Sequence, residues 1–270
     1  MKTYTFNELI DMRLGNRKTF SSGKQHAQTV GRTVILEIER RKPGAAESYR
    51  QCFSYTVRNA GDTVAAALRE INSRPGLTDT KGNPAEPVLW ESSCLQKKCG
   101  VCAMLINGKP QLACDSFLRE LPEKICLAPL RKFPLIGDLQ VDRSVMQKNL
   151  REIRLWMEQP AELWEETAED AYDASRCLQC GLCLEVCPNF AAEGSFTGAA
   201  AAVPAARILA AQPGKERTEL KKQYRKRIYE GCGKSLACRD ICPAGIDTGE
   251  RLAQSNAAAV WNRIRRRPRR

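Results

Sequence analysis

"RCLQCGLCLEVCPNF", Arg176–Phe190, sets four cysteines within eleven positions and ends them with a proline. The spacing Cys177-x2-Cys180-x2-Cys183-x3-Cys187-Pro188 is that of thiolate runs holding iron–sulfur cubanes, in which three thiolates serve one cluster and the fourth serves another. So short a loop cannot wrap all four thiols around one cubane, and the run therefore calls for partners elsewhere in the chain. The stretch "CGKSLACRDICP", Cys232–Pro243, supplies them. Cys242-Pro243 repeats the Cys-Pro ending and can complete the site of Cys177, Cys180 and Cys183, while Cys232 and Cys238 can join Cys187. Ser235 stands where another thiol would complete a cubane for that second set, and a neutral hydroxyl is a far poorer iron ligand than a thiolate. A [3Fe–4S] centre is the expectation there. The other readings of Ser235 are an oxygen ligand to a fourth iron, or a cap or hydrogen bond at a helix start.

A further group lies upstream. Cys94-x4-Cys99-x2-Cys102, followed by Cys114, is the spacing that wraps a [2Fe–2S] cluster in a tight loop, and Gly100 suits the close backbone approach such a loop needs. A zinc site, the competing reading, normally uses paired C-x2-C knuckles, and only Cys99 and Cys102 form such a pair here. Of the 13 cysteines in the 270 residues, Cys52 and Cys126 stand apart and read as small buried hydrophobes. Thiols used this densely point to metal chemistry in a reducing compartment rather than to disulfides.

Composition narrows the class. At 43% apolar residues the chain has room for one large or two modest cores. The first twenty residues carry charge every few positions with no apolar stretch of a secretory leader, and no run approaches the roughly 20 apolar residues of a spanning helix, so a cytosolic, soluble or peripheral protein is expected. The formal charge of +12 falls to about +6 once three clusters with their deprotonated thiolates are counted. Acidic residues crowd 158–173 and basic ones 215–227, which read as solvated helix faces.

Residues 1–32 read as an extension with a short helix over 7–14. Residues 33–142 read as an α+β unit: strands in "TVILEIERR" and "RQCFSYTV", a helix in "GDTVAAALREINSR" capped by Asp62, a strand at Val88–Trp90, a hairpin turning at Asn107-Gly108, a last strand in "EKICLAP", and a proline-marked connection over 129–143. The hairpin returns Cys114 toward Cys94, Cys99 and Cys102. Residues 143–262 read as all-helical, in five helices beginning near 143, 161, 198, 217 and 249, the third kinked at Pro204. "RIRRRPRR", 263–270, is a basic tail suited to anionic lipid headgroups; no aromatic stacking platform accompanies it, which disfavours nucleic acid.

The ordered set C-x4-C-G-x-C…C, then CxxCxxCxxxCP, then C-x5-C-x3-CP resembles the iron–sulfur subunit of succinate dehydrogenase and fumarate reductase, from about Thr33 to Ile264. The resemblance implies a β-grasp domain followed by a helical ferredoxin domain, with three clusters relaying electrons between an FAD-containing, dicarboxylate-binding flavoprotein and a quinone-binding membrane anchor, peripheral to the cytoplasmic side of the membrane. It further implies that Cys94, Cys99, Cys102 and Cys114 hold [2Fe–2S], that Cys177, Cys180, Cys183 and Cys242 hold [4Fe–4S], and that Cys187, Cys232 and Cys238 hold [3Fe–4S]. Many members place tryptophan after the first Cys-Pro and histidine after the counterpart of Cys232; here the chain reads "CPNFAAEG" and "CGK". The one histidine, His26, lies in the extension, so no imidazole is available for quinone protonation and a menaquinone-type or non-quinone donor is favoured. No dinucleotide fingerprint is present, so substrate chemistry is assigned to another chain and these residues to electron transfer alone. Another flavin or heterodisulfide oxidoreductase served by the same relay is the alternative, and a zinc scaffold the remote one.

Overall fold

The structure is a computed structural model and describes residues 30–157, 165–211 and 218–261. The helix read over 7–14, His26 and the arginine tail lie outside these residues. Strand β1 (Thr33–Arg40) alternates strictly: Val34, Leu36 and Ile38 are fully buried and the residues between them half-exposed, the period of a sheet with one face on a core. It pairs antiparallel with β2 (Tyr49–Thr56) on one side and parallel with β5 (Lys124–Ala128) on the other. A parallel pair needs a long crossover. Here the crossover carries helix α1 (Val64–Asn72), the first cysteine loop and the hairpin β3 (Ala103–Ile106) and β4 (Lys109–Leu112), giving the sheet order β2-β1-β5-β3-β4. Asn107 and Gly108 both take left-handed φ, 50° and 75°, as a two-residue hairpin loop requires.

Three local expectations are corrected. Thr63, not Asp62, caps α1, its Oγ1 accepting from Ala66 N at 3.2 Å. Asp62 is drawn inward because the buried Tyr55 hydroxyl needs an acceptor and donates to it at 2.8 Å, alongside Arg58 N at 2.7 Å. Residues 88–90 form no strand, since side chains replace the ladder: Asn72 Oδ1 accepts from Val88 N and Asp138 Oδ2 from Leu89 N, both at 2.8 Å. The connection over 129–143 is not plain loop either. It folds a small hairpin, β6 (Leu135–Gly137) and β7 (Gln140–Val141), whose turn residue Asp138 also accepts from Arg41 N and meets Arg40 Nε at 2.9 Å.

Beyond this point the chain is helical: α2 (Ser144–Glu152), α3 (Glu165–Ser175), the single turn α4 (Leu182–Glu185), α5 (Ala199–Ala211), α6 (Thr218–Tyr224) continuing as a π-helical turn (Arg225–Tyr229), and α7 (Thr248–Ala259). Helix α2 ends at Glu152, and two residues on Arg154 turns to φ +55°, which no helix continues through. Alanine-rich α5 packs against both α3 and α7, which its small side chains permit.

The sheet and the helical half share one core. Phe133 from the connection, Met146 from α2, and Leu182, Leu184 and Phe190 from the second cysteine run lie in the same buried cluster as Leu36, Ile38 and Phe53. Each such side chain contributes about 1.5–3 kcal/mol by leaving water, so the cysteine run is held against the sheet by packing as well as by any metal.

Candidate metal centres

In the loop 94–102 the backbone turns its amides inward. Leu95, Lys97 and Gly100 all take left-handed φ (53°, 59° and 73°), a conformation L side chains rarely adopt and that clusters at functional sites. As a result Gln96 N and Lys98 N donate to Cys94 Sγ, and Lys97 N donates to Cys114 Sγ, each at 3.3 Å. The hairpin delivers the rest. Cys102 immediately precedes β3, Cys114 sits in the 3-10 turn after β4, Ala113 N donates to Cys102 O at 3.0 Å, and Cys99 lies beside Cys94 and Cys102, so all four positions meet at one loop. Amide bonds from Gln96 and Lys98 hold the Cys94 thiol down at about 7, while burial pushes Cys102 up to about 12. The amide donors thus favour the charged form at Cys94, while burial favours the neutral form at Cys102.

The two later sets line two separate cavities. Cys177, Cys180, Cys183 and Cys242 line one, walled by Ala199, Ala200, Val203 and Ile246. Burial raises the Cys177 and Cys183 thiols and pushes Cys180 up to about 11. Gln179 Nε2 donates to Cys177 Sγ at 3.2 Å. Cys187, Cys232 and Cys238 line the other, with Ser235 also on its wall. Ser235 is exposed and no helix starts there: Lys234 and Leu236 on either side take φ of 56°, which no helix accommodates, and α7 begins only at Thr248. The helix-cap reading of Ser235 is thereby corrected.

The residues present fit iron–sulfur cores. Each set offers thiols as its donors, the walls of the first cavity are apolar, and the upstream loop aims amide N–H groups at sulfur. Thr248 Oγ1, on the wall of the first cavity, is buried with no aligned hydrogen bond and lies beside the Cys238 thiol of the other set, which burial pushes up and this hydroxyl holds down. Among the described residues, no three Cys, His, Asp or Glu side chains close up as the ligands of a single ion would.

The loops also touch one another. Arg143 Nη1 donates to Gly100 O at 3.1 Å and reaches Cys180 O at 3.4 Å, Nη2 donates to Val101 O at 2.6 Å, and the guanidinium pairs with Glu91. Sequence reasoning missed Arg143 and Glu91, since nothing local marks them; Gln179, lying between two candidate ligands, could have been singled out by position. Cys52 and Cys126 are not buried hydrophobes: both are half-buried on strands flanking Glu37, and Cys126 Sγ lies 3.3 Å from the Glu37 carboxylate. Alternation along β2 and β5 turns them to the outer face of the sheet.

Residues 35–148 match the family described as "2Fe-2S iron-sulfur cluster binding domain", and residues 173–246 the one described as "4Fe-4S dicluster domain". The succinate dehydrogenase iron-sulfur subunit of Bacillus subtilis is 32% identical over 83% of this chain and 92% of its own length. The chain belongs to the succinate dehydrogenase/fumarate reductase iron–sulfur subunit family. The fumarate reductase iron-sulfur subunit of Wolinella succinogenes is 30% identical, over 83% of this chain and 96% of its own. In fold, a chain of the Mycobacterium smegmatis Sdh1 complex matches with a TM-score of 0.70 at 20% identity, covering 87% of this chain and 98% of that one. The α+β architecture read from the sequence, a ferredoxin domain followed by a helical dicluster domain, therefore stands. So do the cofactors: a [2Fe–2S] cluster in the first domain and two further clusters in the second, [4Fe–4S] and the [3Fe–4S] typical of this family.

Proposed function

We propose that this chain is the electron-transfer subunit of a succinate dehydrogenase or fumarate reductase complex and performs no substrate chemistry itself. In this reading it divides near residue 142. Cys94, Cys99, Cys102 and Cys114 hold [2Fe–2S]; Cys177, Cys180, Cys183 and Cys242 hold [4Fe–4S]; and Cys187, Cys232 and Cys238 hold [3Fe–4S]. The observation that carries it is the sorting of the later thiols: Cys242 lines the cavity of Cys177, Cys180 and Cys183, while Cys187 lines that of Cys232 and Cys238.

Bound there, the clusters supply one-electron steps between an FAD-containing flavoprotein that binds the dicarboxylate and a membrane anchor that binds the quinone. The chain's own residues hold the thiolates, aim N–H groups at them, exclude water with the alanine wall of α5, and keep the loops in contact through Gly100 and Arg143. Among the described residues no helix is long and apolar enough to cross a membrane; in this reading the chain is a peripheral subunit on the cytoplasmic face, held there by its partners. Where relatives place tryptophan shortly after the first Cys-Pro and histidine just after the counterpart of Cys232, this chain reads "CPNFAAEG" and "CGK", with neither indole nor imidazole, which favours a menaquinone-type or non-quinone partner.

Anaerobic purification with its partners tests the reading: about nine irons per chain with acid-labile sulfide, bound flavin and succinate or fumarate turnover are expected. Zinc in place of iron, or a partner without flavin and dicarboxylate activity, overturns it.

A further inference from the structure

Gln179 sits between candidate ligands Cys177 and Cys180 with a left-handed φ of 50°. Its side-chain amide carries two protons, and both are engaged: Nε2 donates to Cys177 Sγ at 3.2 Å and to Ala200 O at 2.8 Å. The second acceptor explains the first. Ala200 lies in the opening turn of α5, where its carbonyl would ordinarily accept the backbone N–H four residues on. That residue is Pro204, which has none. The proline thus leaves one buried carbonyl without its helical partner, and Gln179 takes the vacant role. Two acceptors, a carbonyl oxygen and a thiolate, then dictate which way the amide faces, because its own oxygen would be repelled by both.

We propose that Pro204, Ala200 and Gln179 together fix a hydrogen-bond donor on the sulfur of Cys177 and so raise the reduction potential of the cluster which that thiolate serves. The proposal rests on the reading that Cys177 ligates the [4Fe–4S] cluster. Reduction adds one electron to the cluster and moves no proton; part of the added negative charge falls on the thiolate sulfurs, where an N–H donor stabilises it. The apolar wall beside Cys177 strengthens the effect, because a hydrogen bond counts for more where water is excluded. Gln179 is in these terms a positioning and potential-setting residue, neither an iron ligand nor an acid.

The test uses the assembled complex. In an electron paramagnetic resonance redox titration, Gln179→Met keeps the side-chain volume and removes the donor. It is expected to lower the reduced-to-oxidised ratio of the [4Fe–4S] cluster at fixed poise about tenfold, equivalent to about 59 mV for one electron, leaving the other two midpoints unchanged. Pro204→Ala returns a backbone N–H to Ala200 O and is expected to give a smaller shift of the same sign; no shift removes the proline from the proposal. A Gln179→Met complex with full iron and an unmoved [4Fe–4S] midpoint overturns it. Should that variant fail to assemble, the parent labelled with side-chain 15N-glutamine decides by pulsed resonance: a 15N coupling to the reduced cluster is expected, and its absence overturns the proposal. A parent with no [4Fe–4S] signal instead sinks the underlying ligand reading.

Discussion

Gly100 and Cys180 are in backbone contact: a Cβ at position 100 would lie 2.7 Å from Cys180 Cβ and 3.0 Å from both Cys180 Cα and Leu178 O. The loop of the first thiol set and the loop of the second therefore meet at Gly100 with no side chain of that residue between them. Gly100→Ala adds a methyl group against backbone at a left-handed φ, where overpacking costs about 1–3 kcal/mol and the conformation about 1–2 more. A lower melting temperature and a weakened magnetic interaction between the reduced [2Fe–2S] and [4Fe–4S] clusters are expected. Calorimetry and power-saturation of the [2Fe–2S] signal check both, and an unaltered variant would count against the contact.

Arg143 braces the same junction from the side, largely buried, with donors on Gly100 O and Val101 O. Arg143→Met leaves these carbonyls without their donor, at a cost of about 1–3 kcal/mol. Chemical unfolding of the complex is expected to show that loss, with cluster content retained because no ligand is removed.

The crossed thiol assignment makes opposite predictions for two proline-flanked cysteines. Cys242→Ala is expected to abolish the [4Fe–4S] signal and spare the three-iron one, although Cys242 is near Cys238 in sequence. Cys187→Ala is expected to do the reverse. Spectra of the two variants in oxidised and reduced states read this directly; loss of the same cluster from both would refute the crossing.

Ser235 shares a wall with Cys187, Cys232 and Cys238. Replacing it by cysteine supplies the missing thiolate, so Ser235→Cys is expected to turn the three-iron centre into a cubane, with the oxidised three-iron resonance lost and one more iron bound per chain. The added negative ligand lowers the potential. A persistent three-iron signal at full occupancy would place Ser235 out of reach.

Asp138 joins the connection to the sheet: its side chain and that of Arg40 are 7% and 3% exposed, and two backbone N–H groups, of Arg41 and Leu89, also donate to it. Arg40 Nε meets it as a charge contact rather than an aligned hydrogen bond. Asp138→Ala removes the counter-charge of a buried guanidinium that keeps only the neutral acceptors Gln51 Oε1, Glu86 O and Pro87 O, at a cost of up to about 3–5 kcal/mol. Thermal unfolding of the complex measures it.

Much of this was legible in the chain because the signals are local. Strand alternation in 33–40, the Asn107-Gly108 turn and the three cysteine spacings each act over a few residues. The strand misread at 88–90 and the cap misplaced at Asp62 failed for one reason: Asn72, Asp138 and Tyr55 reach in from elsewhere and take the hydrogen bonds that local pattern assigns to a ladder or a helix end. Cys52 and Cys126 were misjudged because their burial depends on which sheet face they occupy.

The residues alone determined that three groups of thiols exist, with spacings that suit one small cluster and, for the four-cysteine run, ligands shared with a distant stretch. Cluster chemistry constrains ligand type and spacing, and both are written along the chain. Only the folded chain decided that Gly100 abuts Cys180, that Arg143 spans both loops, and that the carbonyl released by Pro204 is met by Gln179. Those contacts join residues 21 to 80 positions apart and arise from how the sheet, the connection and α5 pack, which no spacing encodes.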